Sequence, residues 1–181
     1  MVEKNILWEK YTTCQGLQSF LKGCVIGCRK QWEIVKNDYK NLKTYENITE
    51  TKEKIQLLLF NCFLYAFCQN QFSIILDHLS AILDCRDLKD LKSENDNHFK
   101  SFRVIANGMK HLNRSVRELI KKRVGGNIKF YNLEGSKITF GDASAECVSE
   151  EPLIKTEELF KKIEIILSEE LQKLHERISK T

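Results

Sequence analysis

Proline and glycine are scarce in this chain. Its 181 residues include one Pro and 8 Gly, too few turn-forming residues for an all-β sandwich or barrel, so the composition favours long helices. Apolar residues make up 42% and charged residues 30%, which is the balance of a soluble folded protein rather than a disordered one. The length predicts a single domain over residues 1–181.

Several motifs of known chemistry are also missing. The sequence has no glycine-rich phosphate loop, no H-E-x-x-H and no G-x-S-x-G, which argues against P-loop nucleotide hydrolases, zincins and serine hydrolases. Its 7 Cys include no C-x2-C pair, so we predict buried free thiols, no metal site and no cofactor. The irregular Cys spacing and the polar N-terminal stretch predict a cytoplasmic protein with reduced thiols.

No apolar run is long enough to cross a membrane without interruption. The longest, from Leu57 to Cys68, is about 12 residues long and contains Asn61, whereas a bilayer-spanning helix needs about 20. We therefore predict that this run is a buried core helix and that the protein has no membrane partner. The net charge of +4 permits a polyanion partner such as RNA but does not require one.

Four segments show the three- and four-residue apolar spacing that is typical of helices. We predict helices over about 6–40, 47–85 and 98–123, the second capped by Asn47 and the third ended by Gly125 and Gly126. A last helix begins either with Pro152 in its first turn or with Thr156 as its N-cap. The polar stretch 85–96 is predicted to be a connection.

A change of composition follows the third predicted helix. The stretches 128–132 and 137–140 are short, β-branched and aromatic, which predicts a β-hairpin inserted at about 127–141, followed by a loop to residue 151. The predicted fold class is therefore mainly α, an antiparallel bundle of four long helices with a small β-hairpin inserted before the last helix.

Two glycines, Gly23 and Gly27, lie one turn apart in the first predicted helix. They have two interpretations. Each glycine weakens a helix by about 1 kcal/mol relative to Ala, so they could simply mark a weak helix. A shared small face could instead allow a close contact with another helix or with a second copy of the chain.

The segment from His98 to Arg123 is the one that could carry chemistry. At 100° per residue, its apolar residues point one way and its polar and basic residues the other. Arg103, Asn107 and His111 follow each other at four-residue steps along the polar side. The same side carries a row of cations, namely Lys110, Arg114, Arg117 and Lys121.

These side chains are the parts needed for RNA cleavage without a metal. Neighbouring cations lower the proton affinity of His111, so its imidazole can act as a base near neutral pH. Arg103 and Arg114 can bind a phosphate bidentately, and Asn107 can orient the imidazole or bind a 2′-hydroxyl. Two copies of the helix across a two-fold axis would supply two histidines. The alternative is a solvated basic face with a structural histidine.

The segment FRVIANGMKHLN resembles the motif helix of HEPN-like proteins (higher eukaryotes and prokaryotes nucleotide-binding). In that family an Arg, four to six intervening residues and a His form the motif, often with an Asn, Asp or His after the Arg. Asn107-Gly-Met-Lys-His111 matches the second half. Ala106 stands where the Arg would be, and Arg103 lies about one helical turn earlier on roughly the same face.

The resemblance implies an all-helical homodimer from a toxin–antitoxin or antiviral defence system. Its activity would be that of a metal-independent endoribonuclease, with His111, Arg103 and Asn107 catalytic and Lys110, Arg114, Arg117 and Lys121 binding RNA phosphates. The implied partners are RNA and a protein such as an antitoxin or defence component. The competing hypothesis is a non-catalytic interaction module that binds a protein or RNA through the same face.

Overall fold

The computed structural model describes residues 2–42, 48–110, 132–134, 136–140 and 143–181. Within these ranges the protein is mainly helical, with helices α1 (Val2–Leu42), α2 (Ile48–Leu83), α3 (Arg86–Lys110) and α4 (Glu151–Lys180). A small antiparallel sheet with strands β1 (Asn132–Glu134), β2 (Lys137–Phe140) and β3 (Ala143–Glu146) precedes α4. The mainly helical class and the hairpin before the last helix are confirmed.

The prediction that residues 85–96 form a connection is wrong, because α3 already begins at Arg86. The link between α2 and α3 is only Asp84 and Cys85, and Asp84 has a left-handed backbone with φ of 51°. The Lys89 amide donates a 3.2 Å hydrogen bond to the Cys85 carbonyl, which closes the first turn. Leu88 is fully buried. Leu88, together with the half-buried Leu91 that packs against the same core cluster, therefore holds this polar stretch as helix.

The sheet differs from the predicted hairpin at both ends. Leu133 and Glu134, predicted to lie in the turn, belong to β1, and Glu134 pairs with Lys137. The predicted loop after residue 141 contains β3, whose Ala145 pairs with Ile138 of β2. Both of those side chains are buried. The predictions for Asn47, Gly125, Gly126 and residues 128–131 lie outside the described residues.

The start of α4 settles which of the two predicted signals applies. The helix begins at Glu151 with Pro152 in its first turn, where the missing proline N–H costs no hydrogen bond. The Thr156 cap is wrong, since Thr156 lies inside α4, fully buried. Upstream of the helix, the Trp32 indole donates a 3.1 Å hydrogen bond to the Val148 carbonyl and so fastens this segment to α1.

The buried side chains form two clusters. The first joins the N-terminal half of α1 to the C-terminal half of α2, the start of α3 and most of α4. The second lies beside the sheet and joins the C-terminal half of α1 to the N-terminal half of α2 and the later part of α3. All seven cysteines are free thiols, either buried or half-buried, as predicted.

Helix α2 packs against α1, α3 and β2, but it is not buried on every side. Leu57, Phe60 and Phe67 are about half exposed, so the described elements leave part of the α2 surface uncovered. By length and composition alone, Glu53–Leu83 would suffice to cross a bilayer. Half of its most apolar window is buried inside the protein.

Candidate functional site

The later part of α3 divides into the two faces that the spacing predicts. Phe99, Phe102, Ile105 and Ala106 are at most 5% exposed and pack into the core. This confirms the predicted apolar face as far as α3 is described. Arg103 and Asn107 keep contact with solvent, so the helix holds the two side chains at the border of the core.

Arg103 is held in an ion pair. Its Nη2 donates a 2.9 Å hydrogen bond to Asp96 Oδ1 and a 3.3 Å hydrogen bond to Ser73 Oγ. Asp96 lies two turns earlier on α3, and Ser73 lies on α2. The Arg103 side chain is 37% exposed, so a phosphate can reach the guanidinium but has to compete with the Asp96 carboxylate.

Asn107 is exposed one turn after Arg103. It lines a cavity of about 430 Å³ between α2 and α3. The other described lining residues are Phe63, Phe67, Asn70, Gln71, Ile74 and Ala106. Arg103 also faces α2, through its bond to Ser73, but it is not part of the cavity lining. We call the space between α2 and α3 beside Arg103 and Asn107 the α2–α3 groove.

A second cavity lies between the same two helices, nearer to the link at Asp84, and Arg103 is not part of its lining either. Its volume is about 760 Å³, and Asp96, the partner of Arg103, is part of its wall. Lys89 and Lys92 also line it, but each is paired with a carboxylate, Asp84 and Asp77 respectively. The described part of the groove therefore combines cations with carboxylates and carries little net charge.

The remaining predicted site residues cannot be placed in this groove. His111, Arg114, Arg117 and Lys121 lie outside the described residues, as does the side chain of Lys110, the last residue of α3. The structure thus brings together Arg103 and Asn107 of the predicted catalytic set. In the described part of the chain, no group of three or more His, Cys, Asp or Glu side chains could hold a metal ion.

A polar network that the sequence analysis missed lies beneath α3. His98 Nε2 is 3.1 Å from Thr156 Oγ1, and the Thr156 hydroxyl donates a 2.7 Å hydrogen bond to Gln69 Oε1. Gln69 Nε2 then donates to the Tyr65 hydroxyl at 2.9 Å. The Pro152 carbonyl, 2.9 Å from the same hydroxyl, is a second acceptor for the Thr156 proton. With that proton directed to either oxygen, the neutral His98 ring donates from Nε2. The network joins α3, α4 and α2.

The environment of His98 favours its neutral form. Burial, followed by the nearby positive charge of Lys155, lowers the pKa of His98 to about 4. Burial also raises the pKa of Tyr65 well above its ordinary value. A signal for this network was present in the sequence, because Gln69 and Thr156 are polar residues at positions where the helical spacing expects apolar ones.

Comparison with known protein families, with curated proteins and with solved structures finds no match. The function is therefore argued from the residues of this chain.

Proposed function

We propose that this protein is a HEPN-like, metal-independent endoribonuclease whose site lies at the α2–α3 groove. The observation that carries the proposal is that Arg103 and Asn107 lie one turn apart on α3 and both face α2, since Arg103 bonds Ser73 and Asn107 lines a cavity with Asn70. Residues one turn apart on a helix are about 6 Å apart. A guanidinium and a carboxamide at that spacing can hold the phosphate and the sugar of one nucleotide.

In the proposed reaction His111 is the base. It takes the proton of an RNA 2′-hydroxyl, the 2′-oxygen attacks phosphorus, and the bond to the 5′-oxygen breaks. Arg103 stabilises the negative charge that develops on the phosphate oxygens, and Asn107 orients the imidazole or the sugar. Lys110, Arg114, Arg117 and Lys121 bind flanking phosphates. The products are a 2′,3′-cyclic phosphate and a 5′-hydroxyl.

The proposal extends to the architecture and the assembly. We infer one domain, an antiparallel helical bundle, because the first core cluster joins the beginning of α1 to the end of α2. A homodimer with the α3 segments near the two-fold axis would place two copies of His111 at one site, one as base and one as acid. The proposed setting is a cytoplasmic toxin or phage-defence system in which an antitoxin or another defence component is the protein partner.

The second candidate is a non-catalytic module that binds RNA or a protein through the same groove. The specific observation in its favour is the ion pair between Arg103 and Asp96 at 2.9 Å. A catalytic arginine is most effective when its charge is directed to the reacting phosphate, and here a carboxylate already takes part of it. In this candidate, Arg103 positions the groove and no bond is broken.

A cleavage assay separates the two candidates. Labelled single-stranded RNA is incubated in EDTA with the parent protein, with His111→Ala and with His175→Ala, a matched control that removes an exposed histidine from α4. We expect cleavage by the parent and the control but not by His111→Ala, with cyclic phosphate ends. Binding without cleavage by any of the three would support the interaction module instead.

A further inference from the structure

The cavity beside Asn107 has the composition of a site for a flat, neutral ring. Phe63 and Phe67 form an aromatic wall, with their ring centroids 6.3 Å apart and their planes tilted by 39°. Asn70, Gln71 and Asn107 contribute three carboxamides to the same lining. The described lining has no charged side chain, so a phosphate or a charged metabolite would find no counter-ion there.

One of these carboxamides has an oxygen that accepts no hydrogen bond among the described residues. Asn70 is 4% exposed, and among the described residues its Oδ1 has no hydrogen-bond partner. Buried acceptors of this kind are rare in folded proteins, because the lost hydration is not recovered. An N–H donor that enters the cavity from outside would complete the hydrogen bonding of Asn70.

A nucleobase meets both requirements. Its ring stacks on phenylalanine, as bases do at single-stranded nucleic-acid sites, and carboxamides can donate to and accept from its polar edge. Every RNA base has an N–H donor on its Watson–Crick edge, an amino group on adenine, cytosine and guanine and the ring N3–H on uracil, so the unpartnered acceptor requires that this edge is free. We propose that this cavity, lined by Phe67, Asn70 and Asn107, takes up one unpaired base of single-stranded RNA through its N–H edge.

This inference rests on the proposed function, because it names the part of the RNA substrate that the α2–α3 groove would recognise. Arg103 lies one turn, or about 6 Å, before Asn107 along α3. That spacing matches the reach of a single nucleotide, so a phosphate at Arg103 and a base in the cavity can belong to neighbouring positions of one strand. The base would then determine which phosphodiester lies next to the catalytic groups.

The test measures binding in the His111→Ala background, where the RNA stays intact. Fluorescence anisotropy in EDTA compares labelled oligo(A), oligo(U) and oligo(U) methylated at N3, together with an abasic strand that keeps only the backbone. We expect oligo(U) to bind more tightly than its N3-methylated form, which has no N–H donor, and the abasic strand to bind most weakly. Phe67→Ala should weaken oligo(A) binding by roughly 5- to 150-fold, the range known for lost base stacking.

The matched control is Phe60→Ala. Phe60 and Phe67 lie two turns apart on α2 and are 50% and 44% exposed, but Phe60 is outside the cavity lining. We expect its variant to bind oligo(A) within about twofold of the His111→Ala parent, a difference too small to reflect a lost stack. Equal binding by the two phenylalanine variants, or equal binding of oligo(U) and its N3-methylated form, would overturn the assignment.

Asn70→Leu tests the unpartnered acceptor directly. Leucine keeps nearly the same volume and its side chain has no polar atom, so we expect an unchanged or higher thermal midpoint together with loss of the preference for oligo(U) over its N3-methylated form. A merely structural Asn70 would give a lower midpoint and keep that preference, which would contradict the inference.

The outcomes also separate this inference from the proposed function. If cleavage depends on His111 but Phe67→Ala and Phe60→Ala bind oligo(A) equally, the base site is overturned and the nuclease proposal is supported. Base-selective binding that depends on Phe67, without cleavage by the parent, would support the base site and overturn the nuclease. Absence of binding to every oligonucleotide would overturn both.

Discussion

Thr156 on α4 donates a 2.7 Å hydrogen bond to Gln69 on α2, and both side chains are completely buried. His98 on α3 contributes to the same network through its 3.1 Å contact with the Thr156 hydroxyl. Three helices therefore meet at one buried chain of hydrogen bonds. A buried network of this kind is costly when one of its members changes its charge.

Stability should fall as pH is lowered from about 6.5 to about 4. The pKa of folded His98 is lowered from 6.5 to about 4, by burial and then by Lys155. In that window the unfolded chain binds more protons than the folded one, so acid favours unfolding, by at most about 3 kcal/mol in total. Urea unfolding at pH 7.0, 5.5 and 4.5 measures the loss.

His98→Gln is the matched variant for this prediction. Glutamine can still donate to Thr156 but does not titrate in this range, so the fall in stability between pH 6.5 and 4 should be smaller than in the parent. If the free energy of unfolding of the two proteins changes equally with pH, His98 does not cause the pH dependence.

Gly23→Ala and Gly27→Ala should differ, although the two glycines lie one turn apart on α1. Among the described residues nothing lies within 4 Å of a Cβ at Gly23, whereas a Cβ at Gly27 would lie 3.2 Å from Cys68 Sγ on α2. Alanine stabilises a helix by about 1 kcal/mol relative to glycine. We expect that gain for Gly23→Ala and a smaller one for Gly27→Ala, measured as urea midpoints.

This comparison also decides between the two interpretations of the glycines. Gly27 lies at a close contact between α1 and α2 of the same chain, whereas Gly23 is open within the described residues. A loss of stability in Gly23→Ala, dependent on protein concentration, would contradict the prediction and indicate that Gly23 contacts a second copy of the chain.

Cys68 should be the most reactive of the three thiols where α1 meets α2. A hydrogen bond from Cys28 lowers the pKa of Cys68, and burial raises it by less. Burial, and then the charge of Cys68, raises the pKa of Cys24 to about 11. Cys24 therefore has about 100-fold less thiolate than an ordinary cysteine of pKa near 9, and thiolate is the reactive form.

Iodoacetamide labelling at pH 8, followed by peptide mass spectrometry, gives the order of reaction. Cys68 should react before Cys24 and Cys28. Cys28→Ala removes the hydrogen-bond donor and should slow the labelling of Cys68, whereas Cys14→Ala, a change at another buried thiol of α1, should leave it unchanged. Faster labelling of Cys24 than of Cys68 would contradict the assigned pKa order.

Asp96→Asn should strengthen RNA binding. The change removes the carboxylate that accepts the 2.9 Å hydrogen bond from Arg103 and so leaves more of the guanidinium charge for a phosphate. Interactions of half-exposed charges are worth about 0.2–1 kcal/mol, so we expect a tightening of roughly two- to fivefold by anisotropy at low salt.

Asp90→Asn is the control for Asp96→Asn. It makes the same change of net charge on the same helix, but Asp90 pairs with Arg86 and is 62% exposed, away from Arg103. If the two variants strengthen RNA binding equally, the overall charge governs binding rather than the release of Arg103 from its ion pair with Asp96.

The long helices could be predicted because their apolar residues recur at helical spacing in runs of several turns. The error at residues 85–96 has a physical origin. That stretch is held by Leu88 and by the closing bond at Cys85, and such tertiary contacts outweigh a polar composition. Strand β3 was missed for a similar reason, since Ala143–Glu146 has weak strand propensity and is held by its pairing with β2.

The candidate site was accessible to sequence reasoning only in part. The four-residue step from Arg103 to Asn107 predicts a common face, and in the structure both side chains face α2, Arg103 at Ser73 and Asn107 at the cavity beside Asn70. The partners Asp96 and Ser73 could not be found in this way, since Ser73 is 30 residues from Arg103 along the chain. Phe63 and Phe67, which form the aromatic wall of the cavity, lie in an apolar helical run, where the sequence pattern does not distinguish them from core residues.

The two-residue link at Asp84 and Cys85 has a mechanical consequence for the groove. It joins α2 and α3 at one end, and Asn107 lies 22 residues further on, or roughly 33 Å along α3. A pivot of only 3° at the link would change the width of the groove at Asn107 by roughly 1.7 Å over that length, about half the thickness of an aromatic ring. Small angular fluctuations at the link would therefore decide whether a planar base can enter between α2 and α3.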